Sequence, residues 1–192
     1  MYDYYGRDQT CWNKCPATPM EEIIKLSKLD IPSCHAVITE SFATVAKDLG
    51  LTIENCPSHP SFISLERIRA SMENGVEYFG LFDNGRLIGN AALEKSGTEE
   101  GVMYLERLAV LPSFRHGGRG RRLLEYCADY AAGKGMIKVA IGIIDRHELL
   151  KNWYLRQGFM EIMKREFPHL PFTVCLMERK LQINSGDHPC SS

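Results

Sequence analysis

The chain has 192 residues, of which 44% are hydrophobic and 24% are charged. This length and apolar content predict one compact domain with a core of its own. The 23 basic and 24 acidic residues nearly cancel, so overall charge gives no reason to expect binding to nucleic acid or to a membrane surface.

Residues 1–19 are rich in Tyr, Asn, Asp and Pro without periodicity, and we interpret them as an N-terminal extension. The domain is expected to span residues 20–182, followed by a C-terminal tail at 183–192. Cys11 and Cys15 lack a matching second pair, so reduced thiols are predicted and no metal is expected. The chain shows no secretion signal and no apolar run near the ~20 residues that cross a bilayer, which favours a cytoplasmic protein outside the membrane.

The first half of the domain is predicted to hold one strand and two helices. Residues 22–29 have a strand pattern, and residues 30–49 form an amphipathic helix that Asp30 and a following proline begin. Helical spacing resumes over residues 61–74. The break between the two helices contains glycine and prolines, and we expect it to form the rim of a pocket.

The middle of the chain predicts a sheet that contains both strand directions. Two apolar segments, 76–82 and 86–93, flank an Asp-Asn-Gly turn typical of an antiparallel hairpin. A buried strand at 102–111, a helix at 120–132 and a second buried strand at 136–144 then form a crossover unit with parallel strands. The remaining elements are predicted as a helix at 148–156 and strands near 159–163 and 172–177.

The segment Arg115-His116-Gly117-Gly118-Arg119-Gly120 carries the strongest chemical signal. It lies between a buried strand and the start of a helix, where unpaired N–H groups and glycines suit an anion such as a pyrophosphate. From Arg115 to Arg122 there are four arginines and no acid. The Gly-Lys ending of a nucleotide-binding loop and the third glycine of a dinucleotide fingerprint are both missing. The alternative is a solvated turn without a ligand.

The residues from Leu108 to Leu124 resemble the coenzyme A motif of the GNAT superfamily of N-acyltransferases. That motif has Arg or Gln, two residues, Gly, one residue, then Gly or Ala, and Arg115, Gly118 and Gly120 fill it. Tyr154, four residues before Gly158, matches the carboxy-terminal part of the family pattern. The resemblance implies an α/β (α+β) fold whose mixed, mostly antiparallel sheet has a parallel central strand pair and is flanked by helices.

The same resemblance implies acetyl-CoA as acyl donor and names the residues that would hold it. The strand backbone at Leu108, Ala109 and Val110 would hydrogen-bond to the pantetheine arm. The pyrophosphate would be held by the segment from Arg115, through the N–H groups of His116, Gly117, Gly118, Arg119, Gly120 and Arg121. The family often has Asn where this chain has His147, and we expect the imidazole to contact the pantetheine arm instead.

Two residues are candidates for proton transfer. Glu106 lies on the central strand with Tyr104 on the same side, and we predict that it is the base that deprotonates the amine. An ion pair with a Lys or Arg of a neighbouring strand is an equal alternative. Tyr154 resembles the family's general acid, which would protonate the departing thiolate, and its alternative is an ordinary core aromatic.

These features predict an N-acetyltransferase that acts on a primary amine of a small molecule or peptide. The alternative is a non-catalytic module that binds acyl-CoA as a sensor or interaction domain. We expect the region from Phe42 to Phe62 to select the acceptor. Glu40, Asp48 and Glu54 lie in or beside it and are candidates to attract a cationic acceptor, but an ordinary solvated acid is the favoured interpretation of each one. The sequence leaves both a monomer and a homodimer open.

Overall fold

The computed structural model describes residues 21–182, so the predicted extension 1–19, with Cys11 and Cys15, and the tail 183–192 lie outside the described residues. Within this range the strands are β1 (Glu21–Lys25), β2 (Glu77–Asp83), β3 (Arg86–Lys95), β4 (Val102–Val110), β5 (Lys138–Ile144), β6 (Met160–Glu166) and β7 (Thr173–Lys180). The helices are α1 (Ile31–Leu49), α2 (Leu65–Glu73), α3 (Arg119–Gly133) and α4 (Glu148–Arg156).

The strands form a single sheet in the order β1-β2-β3-β4-β5-β7-β6. The β4–β5 pair is parallel, and the other neighbouring pairs in this sheet are antiparallel. The predicted mixed, mostly antiparallel sheet with a parallel central pair is therefore confirmed. The β4–α3–β5 crossover makes this pair, because parallel neighbours require a long connection across one face of the sheet.

Helices α1 and α3 cover opposite faces of the sheet. The side chain of Asn90 on β3 accepts a hydrogen bond from Cys34 Sγ of α1 at 3.1 Å. A Cβ at the preceding residue, Gly89, would lie 3.1 Å from Leu123 of α3. Successive residues of a strand point to opposite faces, so the two helices pack on different sides. Within the described range, none of the helices is long and apolar enough to span a membrane.

Two predicted boundaries differ from the structure because side chains cap the local backbone. The first strand ends at Lys25 instead of residue 29, since Ser27 and Asp30 form a capping box around a short 3₁₀ turn. The second predicted helix begins at Leu65 instead of residue 61, where the Ser64 hydroxyl accepts a hydrogen bond from Arg67 N at 3.2 Å.

Candidate active site

A bulge in β4 shapes the centre of the sheet. Ala92 pairs with Glu106 and Asn90 pairs with Ala109, so two residues of β4 lie opposite one residue of β3. Arg107 occupies the bulge with a φ of 52°. Asn90, which is fully buried, donates a hydrogen bond from Nδ2 to the Arg107 carbonyl oxygen at 3.1 Å. This hydrogen bond from the neighbouring strand β3 stabilises the bulge.

Strands β4 and β5 separate after Tyr104, just before the bulge. They pair only from Val102 to Tyr104 with Lys138 to Ala140 among the described residues. The facing edges further along, 105–110 of β4 and 141–144 of β5, are therefore not bonded to each other. A cavity of about 440 Å³ opens there and is closed by residues of α1, the loop after it, α4 and the segment before β7. Leu108, Ala109 and Val110, predicted to bind the pantetheine arm, lie on the open edge of β4.

Tyr154 of α4 lies on the cavity wall with its ring in the core. The residue is 6% exposed, and its ring makes edge contacts with Trp153 at 4.8 Å and Phe159 at 5.3 Å between centroids. Its hydroxyl has no hydrogen-bond partner among residues 21–182. Burial raises the pKa of Tyr154 well above its ordinary value, so the phenol keeps its proton. Both interpretations of this residue, core aromatic and proton donor, are compatible with this position.

Glu106 also lines the cavity, as does Tyr104. Its carboxylate Oε2 lies 3.0 Å from Arg107 Nη1, with 39% of the Glu106 side chain and 14% of the Arg107 side chain exposed. The ion pair considered in the sequence analysis is thus present, although its partner is the next residue of the same strand and not one of a neighbouring strand. The bulge explains this, because the left-handed backbone of Arg107 turns its side chain toward that of Glu106.

The loop after α1 forms the opposite wall of the cavity. Cys56, Ser58 and His59 of this loop line the cavity, together with Phe42 of α1, and that this region selects the acceptor stays a prediction. The loop is ordered by its own hydrogen bonds: Asn55 accepts from Thr52 N at 2.9 Å and donates to the Gly50 carbonyl oxygen at 3.0 Å.

The acidic residues considered as candidates to attract a cation do not reach the cavity. Glu40, Asp48 and Glu54 are exposed, and none of them is among the lining residues. This is the position of ordinary solvated acids, the interpretation that the sequence analysis favoured for each of them. They lie on outward turns of α1 and of its loop, which the helical spacing alone did not resolve.

His59 lies in the region predicted to form the rim of the pocket, although the sequence analysis gave it no role of its own. It is 6% exposed, and burial lowers its pKa, so the imidazole is neutral near pH 7. Its Nδ1 lies 3.3 Å from Ser61 N, which donates to it, and 2.8 Å from Ser61 Oγ. Because Nδ1 accepts, the ring proton is assigned to Nε2. The ring stacks edge-on against Phe42 at 5.8 Å.

Further wall residues come from parts of the chain without a sequence signal. Arg67 of α2 lines the cavity, and so do Leu170, Phe172 and Val174 beside the start of β7. A basic residue on a helix and an apolar segment between two strands are common features of any surface and core. Only their meeting across the cavity identifies them.

The glycine segment before α3 has the geometry expected of an anion site. Gly118 is the residue before the helix, with a φ of 75°, and it provides no side-chain cap. The first N–H of this helix with a partner is that of Arg122, which donates to the Gly118 carbonyl oxygen at 3.0 Å. The N–H groups of residues 116–121 have no partner within the described part of the chain. They are therefore available to an anion.

The arginines of this segment have three different environments. Arg119 and Arg122 both pair with Glu21, at 2.6 and 2.9 Å. Arg115 turns inward and donates to the carbonyl oxygens of Val110 and Ser41, at 3.1 and 2.8 Å. Arg121 is exposed and, in residues 21–182, has no ion-pair partner. Arg121 is thus the arginine of the segment whose charge is available to phosphate.

His147 lies at the start of α4 and caps the helix. Its Nδ1 accepts a hydrogen bond from Leu150 N at 3.3 Å, and the ring lines the cavity. The helix cap occupies Nδ1, so Nε2 is the nitrogen that remains for a contact with the pantetheine arm. The prediction for His147 stays a prediction, now limited to one atom.

Comparison with known sequences identifies one family. A sequence model of the acetyltransferase (GNAT) family matches residues 45–159. An amino-acid acetyltransferase of Pseudomonas paraeruginosa is 30% identical over 139 residues, which are 71% of this chain and 31% of the relative. One of Neisseria meningitidis is 32% identical over 113 residues, 58% of this chain and 25% of the relative. The chain therefore spans about a third or less of the length of these curated relatives.

Solved structures share the fold at low sequence identity. A PaiA N-acetyltransferase from Thermoplasma acidophilum in complex with coenzyme A has a TM-score of 0.64 and 22% identity, covering 84% of this chain and 99% of that one. A ribosomal-protein-alanine N-acetyltransferase from Brucella melitensis has a TM-score of 0.66 and 19% identity, covering 83% and 99%. Both likenesses concern the fold.

Proposed function

This chain belongs to the acetyltransferase (GNAT) family, and on that premise we propose that it transfers the acetyl group of acetyl-CoA to a primary amine by direct attack. The observation that carries the proposal is the cavity between the separated strands β4 and β5. Glu106 and Tyr154 both line this cavity. Its relatives, amino-acid and ribosomal-protein-alanine acetyltransferases, support an amine acceptor.

The donor fits the open edge of β4 and the start of α3. The unpartnered N–H groups of residues 116–121 and the Arg121 guanidinium would hold the pyrophosphate. The backbone of residues 108–110 would bind the pantetheine arm, with His147 Nε2 as a further contact. Acetyl-CoA, when bound, supplies the thioester carbonyl that the amine attacks and the sulfur that leaves.

Glu106 would accept the proton that the amine loses. An alkyl ammonium has a pKa of about 10, so a base is needed near pH 7, either in direct contact or through water. The Arg107 ion pair holds the carboxylate on the cavity wall and orients it. The amine nitrogen then forms the new bond to the carbonyl carbon as the carbon–sulfur bond breaks.

Tyr154 would deliver a proton to the departing sulfur. Burial keeps its phenol protonated, which suits an acid and not a base. Its hydroxyl has no hydrogen-bond partner in the described residues, so donation to a substrate breaks no protein contact. The sulfur leaves as a thiol instead of a thiolate, and the second proton that the nitrogen loses in becoming an amide would restore the Tyr154 phenol.

Release of coenzyme A in the presence of amines tests the proposal. We expect acetyl-CoA to bind and to be consumed with at least one of a panel of amino acids, peptides and polyamines. Calorimetry on the same protein measures donor binding separately. Tight binding without turnover for the whole panel would show a non-catalytic acyl-CoA-binding module instead of an enzyme.

A further inference from the structure

The charged side chains on the cavity wall are unbalanced. They are Arg67 from α2, with Arg107 and Glu106 from β4. The buried His59 is neutral. Two guanidinium groups against one carboxylate leave a net positive wall, whereas a site for a polyamine or another multiply charged cation requires an excess of acids.

Arg107 does not supply the unmatched charge. Its Nη1 is 3.0 Å from Glu106 Oε2 and donates to Tyr78 Oη at 2.8 Å, and its guanidinium stacks over the Tyr78 ring at 5.7 Å. Only 14% of its side chain is exposed. The pair of Arg107 and Glu106 is therefore close to neutral as a unit and is fixed by the bulge.

Arg67 is the remaining cation. It lies in the first turn of α2, and its backbone N donates to the Ser64 hydroxyl at 3.2 Å. Its guanidinium has no hydrogen bond or ion pair to any residue between 21 and 182. It is exposed and also lines the cavity, so it lies where the cavity meets solvent, in the same cavity as Glu106.

We infer that the acceptor is an amino acid or a similar small amine that carries a carboxylate, and that Arg67 binds this carboxylate while the amine reaches Glu106. The inference rests on the proposed acetyl transfer. A guanidinium binds a carboxylate through two parallel N–H donors, which fixes orientation as well as charge. His59, in the loop after α1, adds its Nε2–H as a neutral hydrogen-bond donor on the cavity wall.

Matched acceptors test this inference on the whole protein. Each common amino acid is compared with its own carboxamide, which keeps the amine and removes the negative charge. We expect kcat/KM for the preferred amino acid to exceed that of its carboxamide at least about tenfold. Arg67→Gln should lower kcat/KM for the amino acid about tenfold and that for the carboxamide less than about twofold.

Arg69→Gln is the matched control, because Arg69 is exposed on the same helix and is not among the cavity residues. Arg69→Gln should leave unchanged the kcat/KM for both acceptors and the KM for acetyl-CoA. The inference is overturned if kcat/KM for carboxamides or for spermidine equals that for amino acids. It is also overturned if Arg67→Gln lowers kcat/KM equally for an amino acid and its carboxamide. The proposed acetyl transfer stands in both cases. Absence of turnover with every amine would instead overturn the proposed function itself.

Discussion

The Tyr154 hydroxyl lacks a hydrogen-bond partner in the described structure, although its ring is packed between Trp153 and Phe159. A polar atom in such a place normally costs stability unless a ligand or water completes it. Phenylalanine would fill the same ring position without that cost. The hydroxyl is therefore the part of Tyr154 that distinguishes a proton donor from a core aromatic, and its removal tests the choice between the two.

Replacing Tyr154 by Phe should lower kcat by about a hundredfold, since general acid catalysis contributes roughly 10²–10⁴. Affinity for acetyl-CoA in calorimetry should change less than about threefold, and the free energy of unfolding by less than about 1 kcal/mol. Tyr130→Phe is the control: this tyrosine donates to Glu77 away from the cavity, and kcat should be unaffected. An unchanged kcat for Tyr154→Phe would return Tyr154 to a packing role.

Residues of one type serve different purposes in the segment from Arg115 to Arg122. Arg115 joins β4 to α1, since it donates to Val110 and Ser41 carbonyl oxygens and to the Thr44 hydroxyl at 3.2 Å. Arg121 is exposed at the start of α3. Stability should depend on the first and donor binding on the second.

Arg115→Met is expected to lower the free energy of unfolding by about 2–4 kcal/mol, because buried carbonyl oxygens lose charged donors. Arg121→Met should change stability by less than about 0.5 kcal/mol and weaken acetyl-CoA binding about fivefold, with a smaller salt dependence than the wild type. Urea unfolding and calorimetry at two salt concentrations measure these effects. The geometry would be contradicted if Arg121→Met lowered the free energy of unfolding while Arg115→Met changed only the affinity for acetyl-CoA.

At the scale of elements, the loop between α1 and α2 forms a wall whose shape comes from a few polar contacts. Asn55 bridges Thr52 and Gly50. Leu51 and Cys56 form a small apolar cluster against which Phe172 packs, and both Cys56 and Phe172 line the cavity. The loop thus behaves as a packed part of the site and not as a free connection.

Asn55→Ala should raise KM for the amine about three- to tenfold and leave KM for acetyl-CoA within about twofold, because only the acceptor wall loses its support. Glu54→Gln is the control: Glu54 is the exposed neighbour and does not line the cavity. Steady-state kinetics with both substrates varied separates the two constants. Equal increases in both would mean that the loop supports the fold as a whole.

At the scale of the whole molecule, two thiols lie deep in the core on opposite faces of the sheet. Burial raises the pKa of Cys34 and of Cys127 from 9.0 to about 12. Unfolding lets these thiols ionise at their ordinary pKa. Above pH 9 the unfolded chain therefore binds fewer protons than the folded one, and stability must fall as pH rises.

The free energy of unfolding should accordingly fall by about 1 kcal/mol per thiol between pH 8 and pH 10, measured by urea unfolding with reductant present. Cys127→Ala should lower stability at pH 7 through a small cavity and should remove one thiol's share of the loss between pH 8 and pH 10, while Cys34 and Cys175, whose pKa burial raises to about 11, keep theirs. The slope of the free energy of unfolding against pH, compared between the wild type and Cys127→Ala, separates the effect of thiol ionisation from that of packing. A stability that stays flat to pH 10 would show that these thiols titrate alike in both states.

The sequence by itself determined the elements and the nature of the donor site. Local signals decide these: α4 has its predicted bounds, 148–156, and the turn at Asn84 and Gly85 has the left-handed backbone, with φ of 49° and 78°, that Asn and Gly tolerate. The glycine segment before α3 likewise depends on neighbours in the chain. Periodicity and turn chemistry act over a few residues, so the sequence displays them directly.

Only the tertiary structure decided which side chains meet in the cavity. Phe172 lies more than 100 residues after Arg67, and nothing local marks either residue as part of the pocket whose rim was predicted near His59. The ion pair of Arg107 with Glu106 depends on a bulge that the buried Asn90 of another strand holds. Contacts between distant segments are set by how the sheet and helices pack. The residue pattern of one segment does not identify the distant segment that it will contact.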